Sequence, residues 1–346
     1  MSSPDETPPA AEVGSLIRRS GRSSLGRWLK PTVTIALYVL VFYWIDAREI
    51  SSTLKTAQFG IAGACVLLYM AGQAISTLKW RILQGPVGLS TPYLRLLGFY
   101  FTGMFFNLFL PTIIGGDAVK ALLLARETGA PARATMSVFM ERNIGLCALL
   151  IVAIVAAELA PSVELFGMSL RRLTWVLAAG YAAANVILMS PLVYRIADRV
   201  IAATPLARFR HRADSLYQAI VPYKNAPARI LSSVGLSFIF QGIVIAVVFL
   251  NARALALDVP LAAVAVFVPL VSLAGMVPVS VNGLGVREAL YILLFGRVGV
   301  PVETAVSLAL LYLAVTFLAS LPGGVAYLMQ PVRARELTSE RSATDS

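Results

Sequence analysis

Apolar runs of helical length alternate with polar connections along almost the whole chain. Runs at about 31–45, 59–78, 135–158, 173–193, 231–250 and 302–329 predict six membrane-crossing helices. Lipid leaves backbone groups no partner outside the segment, so helices or closed barrels are the available solutions. The two-residue alternation of barrel strands is absent. Two further apolar runs are interrupted. Around Phe105 to Lys120, Pro111 removes a backbone donor, Gly115 and Gly116 loosen the chain, and Asp117 and Lys120 bring charge. Around Met276 to Glu288 the same grammar returns, with Pro278, Ser280, Asn282, Gly283, Gly285, Arg287 and Glu288. Aligning Pro111 with Pro278 puts Gly116 on Gly283 and Lys120 on Arg287. Such paired interruptions mark a transporter-like site near the bilayer midplane. The plainer alternative is two Pro/Gly hinges between packed helices.

Composition places the chain among integral membrane proteins: 58% of 346 residues are hydrophobic, 14% are charged, and mean hydropathy is +0.77. The expected organisation is a disordered cytoplasmic tail over 1–28, a helical membrane domain over 29–330, and a cytoplasmic tail over 331–346. Within the domain, repeat halves cover about 29–160 and 173–330, and 195–229 is the main polar loop. A surface helix is expected at about 207–221, its residues Leu206, Phe209, Leu216 and Ile220 marking an interfacial face.

The net charge of +11 has a membrane explanation, because Lys and Arg concentrate in alternate connections. Placing both termini in the cytoplasm puts 22 of the 29 basic residues inside and seven outside. That split holds only if each interrupted run returns to the side it entered from. The fold class expected is therefore all-α and polytopic, with six full spans plus two re-entrant broken-helix pairs entering from opposite faces, an inverted repeat. Eight complete spans are the alternative. No compact basic domain or aromatic platform points to nucleic acid. Cys65 and Cys147 sit in apolar runs, and His211 is the only histidine. No His/Cys metal site, nucleophile triad or complete nucleotide fingerprint is visible, so no cofactor and no catalysis are expected.

Charge inside a bilayer demands partners or a wet cavity, which makes Asp117, Lys120, Glu141, Arg142, Arg287 and Glu288 candidate site residues. Adjacent residues on a helix do not face one another, so partners are expected across the two halves. Helices starting at Ala118 and Val286 would offer free N–H groups to a phosphate, with Lys120 and Arg287 in their first turns. Plainer roles stand beside these: Asp117 as an N-cap, Glu141 and Arg142 snorkelling at the interface, and Asn107 bonding a neighbouring helix.

Three ordered motifs carry a family resemblance. They are Asn107-x3-Pro111-x3-Gly115-Gly116-Asp117, then Ser137-Val138-x2-Glu141-Arg142, and then Pro278-x-Ser280-x-Asn282-Gly283-x-Gly285-x-Arg287-Glu288. Together they resemble the lysylphosphatidylglycerol synthase transmembrane-region family of flippase-like membrane proteins, from first span to last. The resemblance implies lipid translocation. In bifunctional members this region is joined to a soluble aminoacyl-transferase domain; this sequence carries none before Ser346, so lysine transfer is not expected of it.

The function expected is translocation of an anionic or glycosylated lipid across the plasma (inner) membrane, its headgroup held at the two broken-helix tips. A membrane lipid is the substrate, and a lipid-biosynthetic enzyme is a candidate partner. The alternatives are a membrane-embedded transferase using Asp117, Glu141 and Glu288, a transporter of a small anion, and a scaffold for a lipid-biosynthetic enzyme. The charge split yields a direct prediction. Cysteines introduced near Ala207 and in the C-terminal tail should be shielded from an impermeant thiol label in intact cells, while positions near Ser162 and Leu257 should react. Labelling at Ala207 from outside would overturn the re-entrant arrangement.

Overall fold

Among the described residues, five helices are long and apolar enough to cross a membrane, and they coincide with five of the six expected spans. The computed structural model describes residues 55, 57–109, 115–159, 164–165, 168–202, 210–275 and 285–329. The expected span at 31–45 lies outside the described residues, as do both tails.

In chain order the helices are α1 (Phe59–Gln84), α2 (Tyr93–Phe109), α3 (Gly115–Thr128), α4 (Pro131–Leu159), α5 (Leu170–Met189), α6 (Pro191–Ala202), α7 (Arg210–Lys224), α8 (Pro227–Ala254), α9 (Leu261–Gly275), α10 (Val286–Phe295) and α11 (Val302–Met329). The candidate spans are α1, α4, α5, α8 and α11. At 1.5 Å per residue the longer ones extend beyond a hydrocarbon core of about 30 Å, so they reach the headgroup layers or tilt. The interrupted runs become the pairs α2–α3 and α9–α10, whose members are shorter than the spans. Between them lie 110–114 and 276–284, outside the described residues.

Several boundaries differ from the sequence reading. The α5 span ends at Met189 instead of 193 because Pro191, which cannot donate to the preceding turn, opens α6. The fold is not purely helical: β1 (Glu164–Leu165) and β2 (Met168–Ser169) form a two-residue antiparallel ladder ahead of α5. The polar stretch 195–229 is mostly helix. Arg210 joins α7 to α6 through a two-point ion pair with Asp198, at 2.6 and 2.7 Å. Those hydrogen bonds hold the Asp198 carboxyl below its ordinary range.

The surface helix expected at 207–221 is corrected more substantially. It begins by Arg210, and Leu206 and Phe209 lie outside the described residues. Its Ala219, Ile220 and Tyr223 are buried, and the Tyr223 hydroxyl donates to the Leu83 carbonyl at 2.7 Å. α7 therefore docks onto α4 and the α1 end; Leu216 is exposed as expected, and it is joined by Leu192, Val193 and Ile196 of α6.

Apolar packing divides into two main clusters. One centres on Trp80, Leu96, Phe99, Leu124, Met140 and Tyr223. The other centres on Val264, Phe267, Leu294, Phe295, Ala305 and Leu308. Helix neighbours follow a rule: α1 packs on α8, α2 on α11 as α9 on α4, and α3 on α4 as α10 on α11. Likewise α1 packs on α2 and α8 on α9, while α4 packs on α8 and α11 on α1. Exchanging α1–α4 with α8–α11 leaves this set of neighbours unchanged.

Close approach of backbones holds the first interrupted pair in place. A Cβ on Gly323 of α11 would lie 1.9 Å from the Phe101 carbonyl oxygen of α2, and one on Gly116 would lie 2.1 Å from the Gly103 carbonyl. Thr102 adds a hydrogen bond from its hydroxyl to the Gly323 carbonyl at 3.3 Å. A side chain at Gly323 must push α2 away, at a cost of about 1–3 kcal/mol for overpacking. Gly323→Ala should therefore lower the melting temperature of the detergent-purified protein, whereas Gly98→Ala, which meets nothing within 4 Å, should not. Equal melting of the two variants would contradict this account of the α2–α11 contact.

Candidate functional site

Polar residues recur along one face of α1 at spacings of three and four: Tyr69, Gln73, Ser76 and Lys79. On α8, Ser237 and Gln241 stand one turn apart. All six line a cavity of about 320 Å³ enclosed by both halves of the bundle. From the first interrupted pair it receives Asn107, Gly116, Asp117 and Lys120, and from the second Arg287 and Tyr291. α4 adds Glu141 and Arg142, and α11 adds Tyr312.

Five of these side chains form one continuous ionic chain. Lys79 Nζ lies 2.8 Å from Glu141 Oε1, and Lys120 Nζ lies 3.1 Å from Glu141 Oε2. Lys120 also lies 2.8 Å from Asp117 Oδ1, and Arg142 Nε bonds Asp117 Oδ2 at 2.5 Å. The Lys79 and Glu141 side chains are each 4% exposed, whereas that of Arg142 is 42% exposed, so the chain runs from deep burial to an accessible end. Aromatic faces complete the lysine's surroundings: Lys120 Nζ sits 4.4 Å from the Tyr100 ring centroid and 5.6 Å from that of Trp80. Trp80 is itself oriented by a hydrogen bond to Ser137 Oγ at 3.1 Å. Across the cavity, the Arg287 guanidinium lies 5.4 Å from the Tyr312 ring centroid.

The charges do not cancel. Among the described residues, Lys79, Lys120 and Arg142 share two carboxylates, Asp117 and Glu141, an excess of one positive charge in this network. Inside the five-membered chain, Lys79 matches Glu141 and Arg142 matches Asp117. Lys120, held between the two carboxylates, is the surplus cation. Such a site is electrostatically complementary to an anion placed beside Lys120 and reached past Arg142.

The structure rearranges several expectations. The ion-pair partners of Asp117, Lys120 and Glu141 among the described residues come from the first half, instead of from across the two halves, because α1, α3 and α4 are packed near enough to pair locally. Asp117 is not an N-cap: α3 starts at Gly115, so its carboxylate lies in the first turn and turns to Lys120 and Arg142. The same early start makes Lys120 the sixth residue of its helix while Arg287 is the second of α10, so the two are not at equivalent helical positions. Both nevertheless line the cavity. Glu141 does not snorkel; it is buried at 3% exposure.

The helix tips are also partly engaged. Asn107 Oδ1 accepts the Gly116 N–H at 2.7 Å, the neighbouring-helix bond anticipated for this asparagine. Glu288 Oε2 accepts the Gly285 N–H at 2.6 Å, which commits Glu288 to its own helix and away from the cavity. Gly285 itself has φ +83°, a conformation that favours glycine. Gly115 is buried at the start of α3 without lining the cavity. Pro111, Pro278, Ser280, Asn282 and Gly283 lie outside the described residues.

Sequence reasoning missed Lys79, Gln73, Gln241, Tyr100 and Tyr312. The available signal was the polar stripe Gln73–Ser76–Lys79, since polar residues at helical spacing within an apolar run face away from lipid.

Compared with known proteins, residues 28–323 match the family model described as "Lysylphosphatidylglycerol synthase TM region". No curated protein matches the chain significantly.

The ionic chain predicts an unequal response to neutralisation. Removing Glu141 leaves Lys79 buried without its anion, and breaking a buried pair in this way costs about 3–5 kcal/mol. Removing Lys120 leaves two neutral pairs, Lys79–Glu141 and Asp117–Arg142. Glu141→Gln should therefore lower thermal stability and abundance much more than Lys120→Met, and adding Lys79→Met to Glu141→Gln should recover much of the loss. A larger loss from Lys120→Met would contradict the assignment of Lys120 as the surplus charge.

Proposed function

The chain belongs to the lysylphosphatidylglycerol synthase transmembrane-region family, and from that premise we propose that it translocates a lipid with an anionic or glycosylated headgroup between leaflets. The headgroup occupies the cavity between the two interrupted helix pairs, and its tails stay in the bilayer. The observation that carries this reading is the surplus positive charge at Lys120, deep in a helical bundle, with exposed Arg142 beside it. An uncompensated cation is costly to bury, and an incoming phosphate supplies the missing charge. Because Asn107 and Glu288 engage the helix-tip amides, the phosphate is assigned to the cations between the tips instead of to the tips themselves.

Architecture supports an alternating mechanism. The unchanged neighbour set on exchanging α1–α4 with α8–α11 is what two inverted repeats would give. On this reading α2–α3 and α9–α10 are re-entrant pairs entering from opposite faces. Lys79, Lys120, Arg142 and Arg287 now belong to the cavity, yet the remaining basic residues stay biased to the side assigned to the cytoplasm, with 19 against six. That bias supports both termini inside a plasma (inner) membrane.

Transport is favoured over a transferase role because the carboxylates are committed. Asp117 and Glu141 are each held by two cations, and Glu288 does not line the cavity, so none is poised as a general base. The full chain reconstituted in liposomes should accelerate leaflet exchange of anionic phospholipid. Lys120→Met and Arg287→Gln should each reduce that exchange about ten- to a hundredfold, the equivalent of about 1.5–3 kcal/mol for a charged hydrogen bond. Exchange at the wild-type rate in both variants, at unchanged melting temperature, would remove these two residues from the transport site.

A further inference from the structure

The ionic chain accounts for one end of the cavity and leaves its middle without a role. There the wall is polar but neutral, formed by Gln73 and Ser76 of α1 and by Ser237 and Gln241 of α8. The two helices run antiparallel in a register fixed by the Gln58 N–H bonding to the Ala254 carbonyl and by Cys65 Sγ contacting the Val247 carbonyl. Gly72 permits their close approach, since a Cβ there would meet Ile243 at 3.1 Å and Phe240 at 3.3 Å. The two glutamines therefore stand on either side of one helix crossing, one contributed by each half of the bundle.

Gln73 is 4% exposed and Gln241 8%, yet neither carboxamide has a hydrogen-bond partner among the described residues. Ser237, by contrast, donates to the Ser233 carbonyl at 2.9 Å. Both line the cavity, so their carboxamides are free to bond whatever occupies it. Each offers two donors and a carbonyl acceptor, a set complementary to hydroxyl groups, which also donate and accept. A bare phosphate ester would use only the donors, and a quaternary ammonium neither half. Gln73 lies six residues, about 9 Å along α1, from Lys79, which shares Glu141 with Lys120; the separation matches a phosphate beside Lys120 followed by a small polyol or one sugar ring.

From this we infer that the wall is a hydroxyl-recognising subsite: the headgroup is a phosphodiester bearing a polyol or a sugar, its phosphate beside Lys120 and its hydroxyls on Gln73 and Gln241. This inference rests on the transport reading above and specifies its substrate class. It also gives α1 and α8 a joint task, since a ligand touching both glutamines bridges the two halves that must move relative to one another.

Three fluorescent phospholipids of equal charge and equal tails test it with the full chain in liposomes: phosphatidylethanol, phosphatidylglycerol and phosphatidylglucose. Phosphatidylethanol has the phosphodiester and no hydroxyl. The two hydroxylated lipids should exchange about tenfold faster, the gain expected from one or two neutral hydrogen bonds. Gln73→Leu and Gln241→Leu should each move that ratio toward one. A larger gain for phosphatidylglucose identifies a sugar as the occupant, and a larger gain for phosphatidylglycerol identifies an open-chain polyol. Phosphatidylethanol exchanging as fast as both others overturns the subsite while leaving lipid transport standing. No exchange of any of the three overturns the transport reading itself. The wild-type ratio is decisive even where a leucine variant fails to fold.

Discussion

Glu141 is a carboxylate in the middle of α4, a helix otherwise apolar enough to cross a bilayer, and its side chain is almost wholly buried. In such surroundings an ionised group persists only with counter-charges in direct contact. Two lysines meet that requirement, one from α1 and one from α3. The constraint therefore ties three helices together at one point and fixes where the first interrupted pair must sit. Asp117 and Arg142 extend the same network toward an accessible edge. In the proposed transport reading, what stabilises the bundle here also makes it selective, because three cations around two carboxylates leave a charge that an anion completes.

The close helix contacts serve that arrangement. Gly103 and Gly116 bring the α2 and α3 backbones together, and Lys120 passes over Gly103 on its way to Glu141, with its Cγ 2.6 Å from where a Cβ would stand. Gly323 admits α2 against α11 from the other side. α2 is thus held between its own partner helix and a span of the opposite half, and α9, which packs on both α10 and α4, occupies the matching place. The cavity lies where these two arrangements meet, with cations from each half along its lining.

Much of this organisation was legible in the sequence. Five spans follow from apolar length alone, and the two interruptions follow from proline, glycine and charge in apolar surroundings. Asp117, Lys120, Glu141 and Arg142 were identifiable because charge inside lipid requires an explanation. Their pairing was not legible. Helical periodicity assigns a residue to a face but not to a partner, and the one-turn shift in the start of α3 moved Asp117 from a cap to an ion pair. Lys79 escaped notice because it lies near the end of a long apolar run, where a lysine ordinarily reaches water. Glu288 misled for the opposite reason: a buried carboxylate invites a chemical role, yet its contact is with the Gly285 amide.

The central claim is that this cavity holds the headgroup of an anionic lipid, and the most direct measurement is the mass of what the protein itself retains. The full chain, purified from its native membrane in mild detergent, would be analysed intact by mass spectrometry and its bound lipids then identified. The account predicts a stoichiometric anionic phospholipid, retained by the wild-type protein and depleted in a folded Lys120→Met variant. Retention of a cationic or zwitterionic lipid instead, or of the same anionic lipid at equal occupancy in that variant, would contradict it.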